Sequence, residues 1–266
     1  MVWPWRRKSR RKLARIAIEG AIAAGTRERV LKALREVERR ECPALLLRID
    51  SPGGTVGDSQ EIHAAILRLR QKGCRVVASF GNISASGGVY VGVAAEKIVA
   101  NAGSIGVILR GNNLSRLLER IGIQFETVKS GLYKDILSPD RALSGAERQL
   151  LQELIDSSYG QFVAAVAEGR GLEEQVVRQF ADGRVFSGAQ ALELGLVDQL
   201  GDEDAARRLA CELADLDPEK TRPIAFGQAN KRFAGLIPGR NLLGRLSEAF
   251  HQELAWSGQP LWLHRP

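Results

Sequence analysis

Arg75-Val76-Val77-Ala78-Ser79-Phe80, followed at once by Gly81-Asn82-Ile83-Ser84-Ala85-Ser86-Gly87-Gly88, is the stretch on which the reading of this chain turns. A β-branched apolar run that ends in small residues and glycines predicts a strand delivering a short loop into the N-terminus of a helix. Backbone N–H groups lie beside such a junction, so a serine there is well placed to act as a nucleophile whose oxyanion is stabilised at once. The same Ser-Ala-Ser-Gly-Gly chemistry equally suits an ordinary helix-capping turn.

Just upstream, the pattern occurs a first time. Leu45-Leu46-Leu47-Arg48-Ile49-Asp50 is a nearly continuous apolar run of strand length, as in a buried parallel strand. It leads into Ser51-Pro52-Gly53-Gly54, after which Ile62, Ala65, Ile66 and Leu69 mark a helix closing near Gly73. Two strand, glycine-turn, helix units in succession predict an α/β fold with both glycine turns at the carboxyl end of one parallel sheet. Donors from the two turns can then point into a shared site.

Further out, residues 14 to 22 read as the first strand and 27 to 40 as an amphipathic helix with Val30, Leu34 and Val37 on one face. Short strands at 97 to 100 and 106 to 109 flank Asn101-Ala102-Gly103-Ser104. A helix over 113 to 120 and a strand over 125 to 129 lead to Ser130-Gly131-Leu132-Tyr133-Lys134-Asp135. The longest helix is expected over 144 to 168, opened by the capping box Ser144 and Glu147. Shorter ones follow at 173 to 181, 188 to 194 and 202 to 213. This organisation predicts a basic, Trp-containing arm over 1 to 13, one α/β domain over 14 to 226, and an amphipathic tail over 227 to 266. In the tail, Leu242, Leu243, Leu246, Phe250 and Leu254 form a stripe at helical spacing, suited to a protomer contact or to a membrane surface.

Composition narrows the partners. The 266 residues carry a net charge of +7, which suggests nucleic acid until its position is noted. Arg6, Arg7, Lys8, Arg10, Arg11, Lys12 and Arg15 precede the first acid, Glu19, and the other 31 cations balance the 31 acids. A basic arm on a neutral body suits anionic lipid or an acidic partner at least as well, and no nucleic acid is expected. All four tryptophans, Trp3, Trp5, Trp256 and Trp262, are terminal, as suits a membrane–water interface. Residues 16 to 24 are too short to span a bilayer and contain Glu19, which argues for a strand rather than a signal-peptide core. Cys42, Cys74 and Cys211 are odd in number and far apart, which predicts neither a disulfide framework nor a metal cluster. A cytoplasmic body, with its ends resting peripherally on a membrane, is the expectation.

A serine hydrolase needs a base, most often histidine. Between His63 and His251 there is none. A lysine can serve instead when burial lowers its pKa enough to leave the amine neutral. Lys134, after a strand and a glycine turn, is a candidate, although a solvated loop lysine would look the same.

Together these segments resemble one family. Asp50-Ser51-Pro52-Gly53-Gly54, Ser84-Ala85-Ser86-Gly87-Gly88, Gly103-Ser104-Ile105-Gly106-Val107 and Ser130-Gly131-Leu132-Tyr133-Lys134-Asp135 are similar, in order, to the motifs of signal peptide peptidase A, the S49 serine peptidases, in their short form. Asp182-Gly183-Arg184-Val185-Phe186-Ser187-Gly188 and Gly195-Leu196-Val197-Asp198 extend the likeness, which covers residues 14 to 226. It implies a ClpP/crotonase fold with stacked parallel sheet turns flanked by helices. It implies Ser86 as nucleophile, Lys134 as general base, Ser104 as the hydroxyl orienting that lysine, and Gly54 and Gly87 as oxyanion-hole donors. Ser84 receives no role, because the motif places the reactive serine immediately before Gly-Gly. No metal or organic cofactor is implied. A ring of protomers that cleaves apolar peptides such as signal-peptide remnants is implied, with Ser and Lys of one site drawn from one protomer or two. Many members carry a membrane helix before the first strand, and here a basic arm of about a dozen residues stands in that place. A crotonase-type acyl-CoA enzyme, which needs no nucleophile at Ser86, and an inactive membrane scaffold are the competing readings.

Overall fold

The computed structural model describes residues 12–106, 131, 133, 136, 142–227 and 261–263. The chain begins with strand β1 (Leu13–Glu19), helix α1 (Ala24–Arg39) and β2 (Ala44–Ser51), followed by β3 (Gly53–Thr55), α2 (Val56–Gln71) and β4 (Arg75–Ala85). Then come α3 (Gly87–Gly92), β5 (Lys97–Ala100) and β6 (Ser104–Gly106). Beyond them lie α4 (Gly145–Arg170), α5 (Glu174–Phe180), β7 (Val185–Phe186), α6 (Gly188–Glu193), β8 (Gln199–Leu200), α7 (Glu203–Leu213), β9 (Ile224–Phe226) and β10 (Leu261–Leu263).

Eight of the strands form one sheet, whose main path runs β7-β6-β4-β2-β1-β9 with β5 and β8 branching from β4. All its pairings are parallel except β6 with β7. Such a sheet needs cover on both faces, and the apolar residues of its strands fall on both sides. Ile16, Ile18, Leu45, Leu47, Ile49, Ala78 and Phe80 pack toward α1, α2 and α4 through Val30, Leu34, Ile62, Ile66, Phe162 and Val166. Leu13, Leu46, Val77 and Val99 face the other way, onto Ala206, Ala210 and Cys211 of α7. Each large side chain so buried stabilises the fold by about 1.5–3 kcal/mol. The doubly covered sheet was foreshadowed by the nearly continuous apolar run at 45 to 50.

β4 is longer than the sequence suggests. The expected loop at 81 to 88 is strand as far as Ala85, leaving Ser86 alone as the junction residue. Its two halves have different neighbours: Val77–Phe80 pair with β5, whereas Ile83–Ala85 pair with β6. Gly53-Gly54, expected as a turn, is strand because it has backbone partners on both sides. Ile22 bridges to it on one side, and Leu261–Leu263 of the tail pair with it antiparallel. The capping box at the head of α4 is formed as expected, with Glu147 N–H donating to Ser144 Oγ at 3.2 Å and Ser144 N–H to Glu147 Oε2 at 2.8 Å. The helix expected at 113 to 120, the strand at 125 to 129 and the tail stripe at 242 to 254 lie outside the described residues.

Asp198 at the end of the Gly-Leu-Val-Asp run ties three elements together. It accepts from Arg170 Nη1 and Lys97 Nζ, each at 2.9 Å, and from the Ile98 N–H at 2.8 Å. Burial alone would raise its carboxyl, but these bonds hold it below the usual aspartate range.

Candidate active site

The site begins where β2 ends. Ser51 Oγ accepts the Gly53 N–H at 3.1 Å, which turns the chain into β3. There Ile22 N–H donates to Gly53 O at 2.8 Å, and Thr55 N–H donates to Ile22 O at 2.9 Å. Successive residues of a strand direct their backbone groups to opposite sides, so the Gly54 amide faces away from Ile22. That is the side on which β10 pairs, in the register Trp262 opposite Gly54. Only glycine fits at 54, because a Cβ there would stand 1.8 Å from Ile22 O.

The second half comes from β4. Ser86 is 1% exposed and takes φ 52°, ψ −113°, in a region that L-residues seldom occupy. Its backbone is pinned on both sides: its N–H donates to Gly106 O at 2.6 Å, and its carbonyl accepts the Tyr90 N–H at 2.9 Å. Holding a non-glycine residue in this conformation costs about 1–3 kcal/mol and requires that the surroundings impose it. The following Gly87 lies against β3. A Cβ at 87 would be 2.5 Å from Ser59 Oγ and 3.2 Å from the Gly54 nitrogen. The two glycine turns expected to share a site are therefore in contact, next to Ser86. Ser84 is held apart from it, its Oγ donating to Ile49 O at 3.0 Å inside the sheet.

Ser104 opens β6, with its backbone in register with Ile83 and two residues before the carbonyl that holds Ser86. Lys134 lies outside the described residues; beside it, Ile136 N–H bonds Tyr133 O at 3.1 Å. Asp50, the first residue of the Asp-Ser-Pro-Gly-Gly run, has a part that the sequence reading missed. Its carboxylate accepts the Ile83 N–H at 3.1 Å and Asn82 Nδ2 at 3.2 Å, fastening the upper half of β4 to the end of β2. An acid closing an otherwise apolar strand was the available signal. Among the described residues no cluster of His, Cys, Asp and Glu is arranged to hold a metal ion.

A mostly parallel sheet that presents a buried serine in left-handed backbone at a strand-to-helix junction, beside two glycine turns, defines an α/β fold. The sequence pattern of Peptidase family S49 matches residues 68–217. The Synechocystis sp. protein named "Putative protease slr0021" is 54% identical over 278 residues, covering 100% of both chains. "Putative signal peptide peptidase SppA" of Enterococcus faecium is 36% identical over 77% of this chain and 64% of its own length. "Protease 4" of Salmonella typhi is 38% identical over 65% of this chain, but that is only 28% of its own length. The chain belongs to peptidase family S49, with its ClpP/crotonase-like fold, and is a peptidase. No described helix is long and apolar enough to cross a membrane.

Proposed function

We propose that this peptidase is a serine endopeptidase with a Ser86–Lys134 dyad that cleaves apolar peptides such as released signal peptides. The observation that carries the reading is the close approach of Gly87 to β3, where a Cβ on Gly87 would stand 3.2 Å from the Gly54 nitrogen, beside the strained Ser86. Ser86 Oγ attacks the scissile carbonyl and passes its proton to a neutral Lys134 amine, which Ser104 orients. Gly54 and Gly87 N–H groups stabilise the oxyanion. Collapse of the tetrahedral adduct breaks the C–N bond, the leaving amine takes the proton from Lys134, and water, deprotonated by the same amine, releases the acyl group.

The β3 edge supports an extended substrate. It already accepts an antiparallel strand from the chain's own Leu261–Leu263, and main-chain pairing of this kind is indifferent to most side chains. An apolar substrate class is consistent with the name of the Enterococcus relative. A homo-oligomeric ring is part of the proposal: Leu150, Leu154 and Ile155 on α4 are 43%, 47% and 38% exposed, an apolar stripe suited to a second copy. Peripheral contact of the basic arm and Trp-rich tail with anionic membrane completes it. Family membership favours this reading over the acyl-CoA and scaffold alternatives.

The test is hydrolysis of an apolar fluorogenic peptide by wild type, Ser86→Ala and Lys134→Ala. Loss of at least about 10³-fold in each variant, with melting temperatures near wild type, is expected. Retained cleavage in either variant would remove the dyad.

A further inference from the structure

We infer that His63 is a positioning residue for the nucleophile, holding α3 through the Tyr90 carbonyl so that Ser86 keeps its strained backbone. The inference rests on Ser86 being the nucleophile. It starts from the shape of α3, whose six residues are far too few to form a helix that is stable by itself. The surroundings must therefore fix both this helix and the strained residue at its head.

α2 supplies that support along one face. It starts directly after β3, with Thr55 as its N-cap, so it moves as one piece with Gly54. Ser59 Oγ donates to Thr55 O at 2.9 Å and occupies the space that a Cβ on Gly87 would need. His63 Nδ1 lies 2.7 Å from Tyr90 O, and Arg70 Nη1 donates to Ala94 O at 2.8 Å. A carbonyl can only accept, so Nδ1 carries the proton. The His63 ring also packs, tilted, against the Tyr90 ring, with centroids 4.7 Å apart and planes at 39°.

The C-terminal end of α3 is where such bonds are needed. Its hydrogen bonding tightens there: Ala94 N–H bonds Val91 O at 3.3 Å and Ala95 N–H bonds Gly92 O at 2.9 Å. The last carbonyls of a helix are commonly satisfied from outside, and here α2 donates to one of them, Tyr90 O, and to Ala94 O just past the helix end. On the far side Tyr90 meets Phe162 of α4, with centroids 6.2 Å apart, so the helix is gripped between two long ones. Tyr90 is one helical turn from Ser86, whose carbonyl accepts the Tyr90 N–H. Displacement of Tyr90 is transmitted directly to the nucleophile.

The test uses the full chain with His63→Phe, which keeps a ring on Tyr90 but removes the donor, and His63→Asn, whose side-chain N–H replaces Nδ1–H. Steady-state cleavage of an apolar fluorogenic peptide and the rate of labelling by a fluorophosphonate probe are measured for both, alongside Ser86→Ala. We expect His63→Phe to lose about tenfold in kcat and in labelling rate with KM within about twofold, since sub-ångström misplacement of a reacting group acts on the chemical step. His63→Asn should recover to within about threefold of wild type. Should His63→Phe show no cooperative melt, His63→Gln, which carries its amide farther out, serves as the loss variant. Wild-type kcat and labelling in the loss variant, or equal impairment in His63→Asn, overturns the inference alone. A label that persists in Ser86→Ala overturns it together with the nucleophile assignment.

Discussion

Ser86 shows how a backbone can be read where its side chain alone would be ambiguous. A helix cap normally sits in extended backbone, as Ser144 does at φ −67°, whereas Ser86 sits at φ 52°. Replacing Ser86 by Gly should relieve strain of about 1–3 kcal/mol, less about 0.5–1 kcal/mol for the freedom glycine adds to the unfolded chain. Ser86→Gly is therefore expected to be more stable than wild type by about 1 kcal/mol in denaturant unfolding, and inactive. A Gly variant less stable than Ser86→Ala would contradict the strain. Gly54 and Gly87 were singled out through the likeness to family motifs, and the structure adds a steric reason for each, a Cβ meeting Ile22 O at 1.8 Å in the one case and Ser59 Oγ at 2.5 Å in the other. His63 was not legible, because a side chain bonding a carbonyl of another element leaves no spacing pattern in the sequence, and Asp50 offered only its position as an acid closing an apolar strand. His63 also gives a pH dependence. Burial holds its imidazole below the ordinary value despite the Tyr90 carbonyl and the attraction of Glu168, while Arg70 pushes the same way as burial. The unfolded chain then takes up the proton first, so stability falls as pH drops below about 6.5. The melting temperature is expected to decline between pH 7.5 and 5.5 in wild type and to decline less in His63→Phe.

Among elements, those announced by periodicity or by a cap were legible, as with α4 and its Ser144–Glu147 box. β3 was not, because its strand character comes from partners distant in sequence: Ile22 before it and Leu261–Leu263 far behind. Since a peptide substrate and Leu261–Leu263 would use the same edge, a chain ending at 260 should show a lower KM for an apolar peptide and an unchanged kcat. An unchanged KM would mean that the substrate lies elsewhere. The junction of α4, β5 and β8 depends on Asp198, whose partner Arg170 has a side chain only 7% exposed. Asp198→Ala leaves that guanidinium uncompensated and is expected to cost about 3 kcal/mol in urea unfolding, with site labelling intact once folded. Its folded carboxyl is below the unfolded one, so the stability it contributes is present above about pH 4 and is lost as pH falls further. The wild-type protein should lose more stability than Asp198→Ala on acidification through that range.

For the whole molecule, the exposed Leu150, Leu154 and Ile155 bear on assembly. Leu154→Asp should shift the mass measured by light scattering toward the monomer. Mixing Ser86→Ala with Lys134→Ala protein should restore part of the activity if a site draws on two protomers, whereas no recovery would assign both residues to one chain. The branching of β4 has a separate effect on motion. Its lower half lies deep in the sheet between β2 and β5, while its upper half leans on the three residues of β6, one of which holds the Ser86 N–H. A short flank of this kind can open without the core opening. Native-state hydrogen exchange should therefore separate the strand into two tiers, with amides of Val77 to Phe80 exchanging only through global unfolding and those of Ser84 to Ser86 through a smaller, sub-global event. The residence of Ser86 in its strained geometry would then be set by the lifetime of β6, which makes that flank the place where the Ser86 geometry and fold stability can be tuned independently.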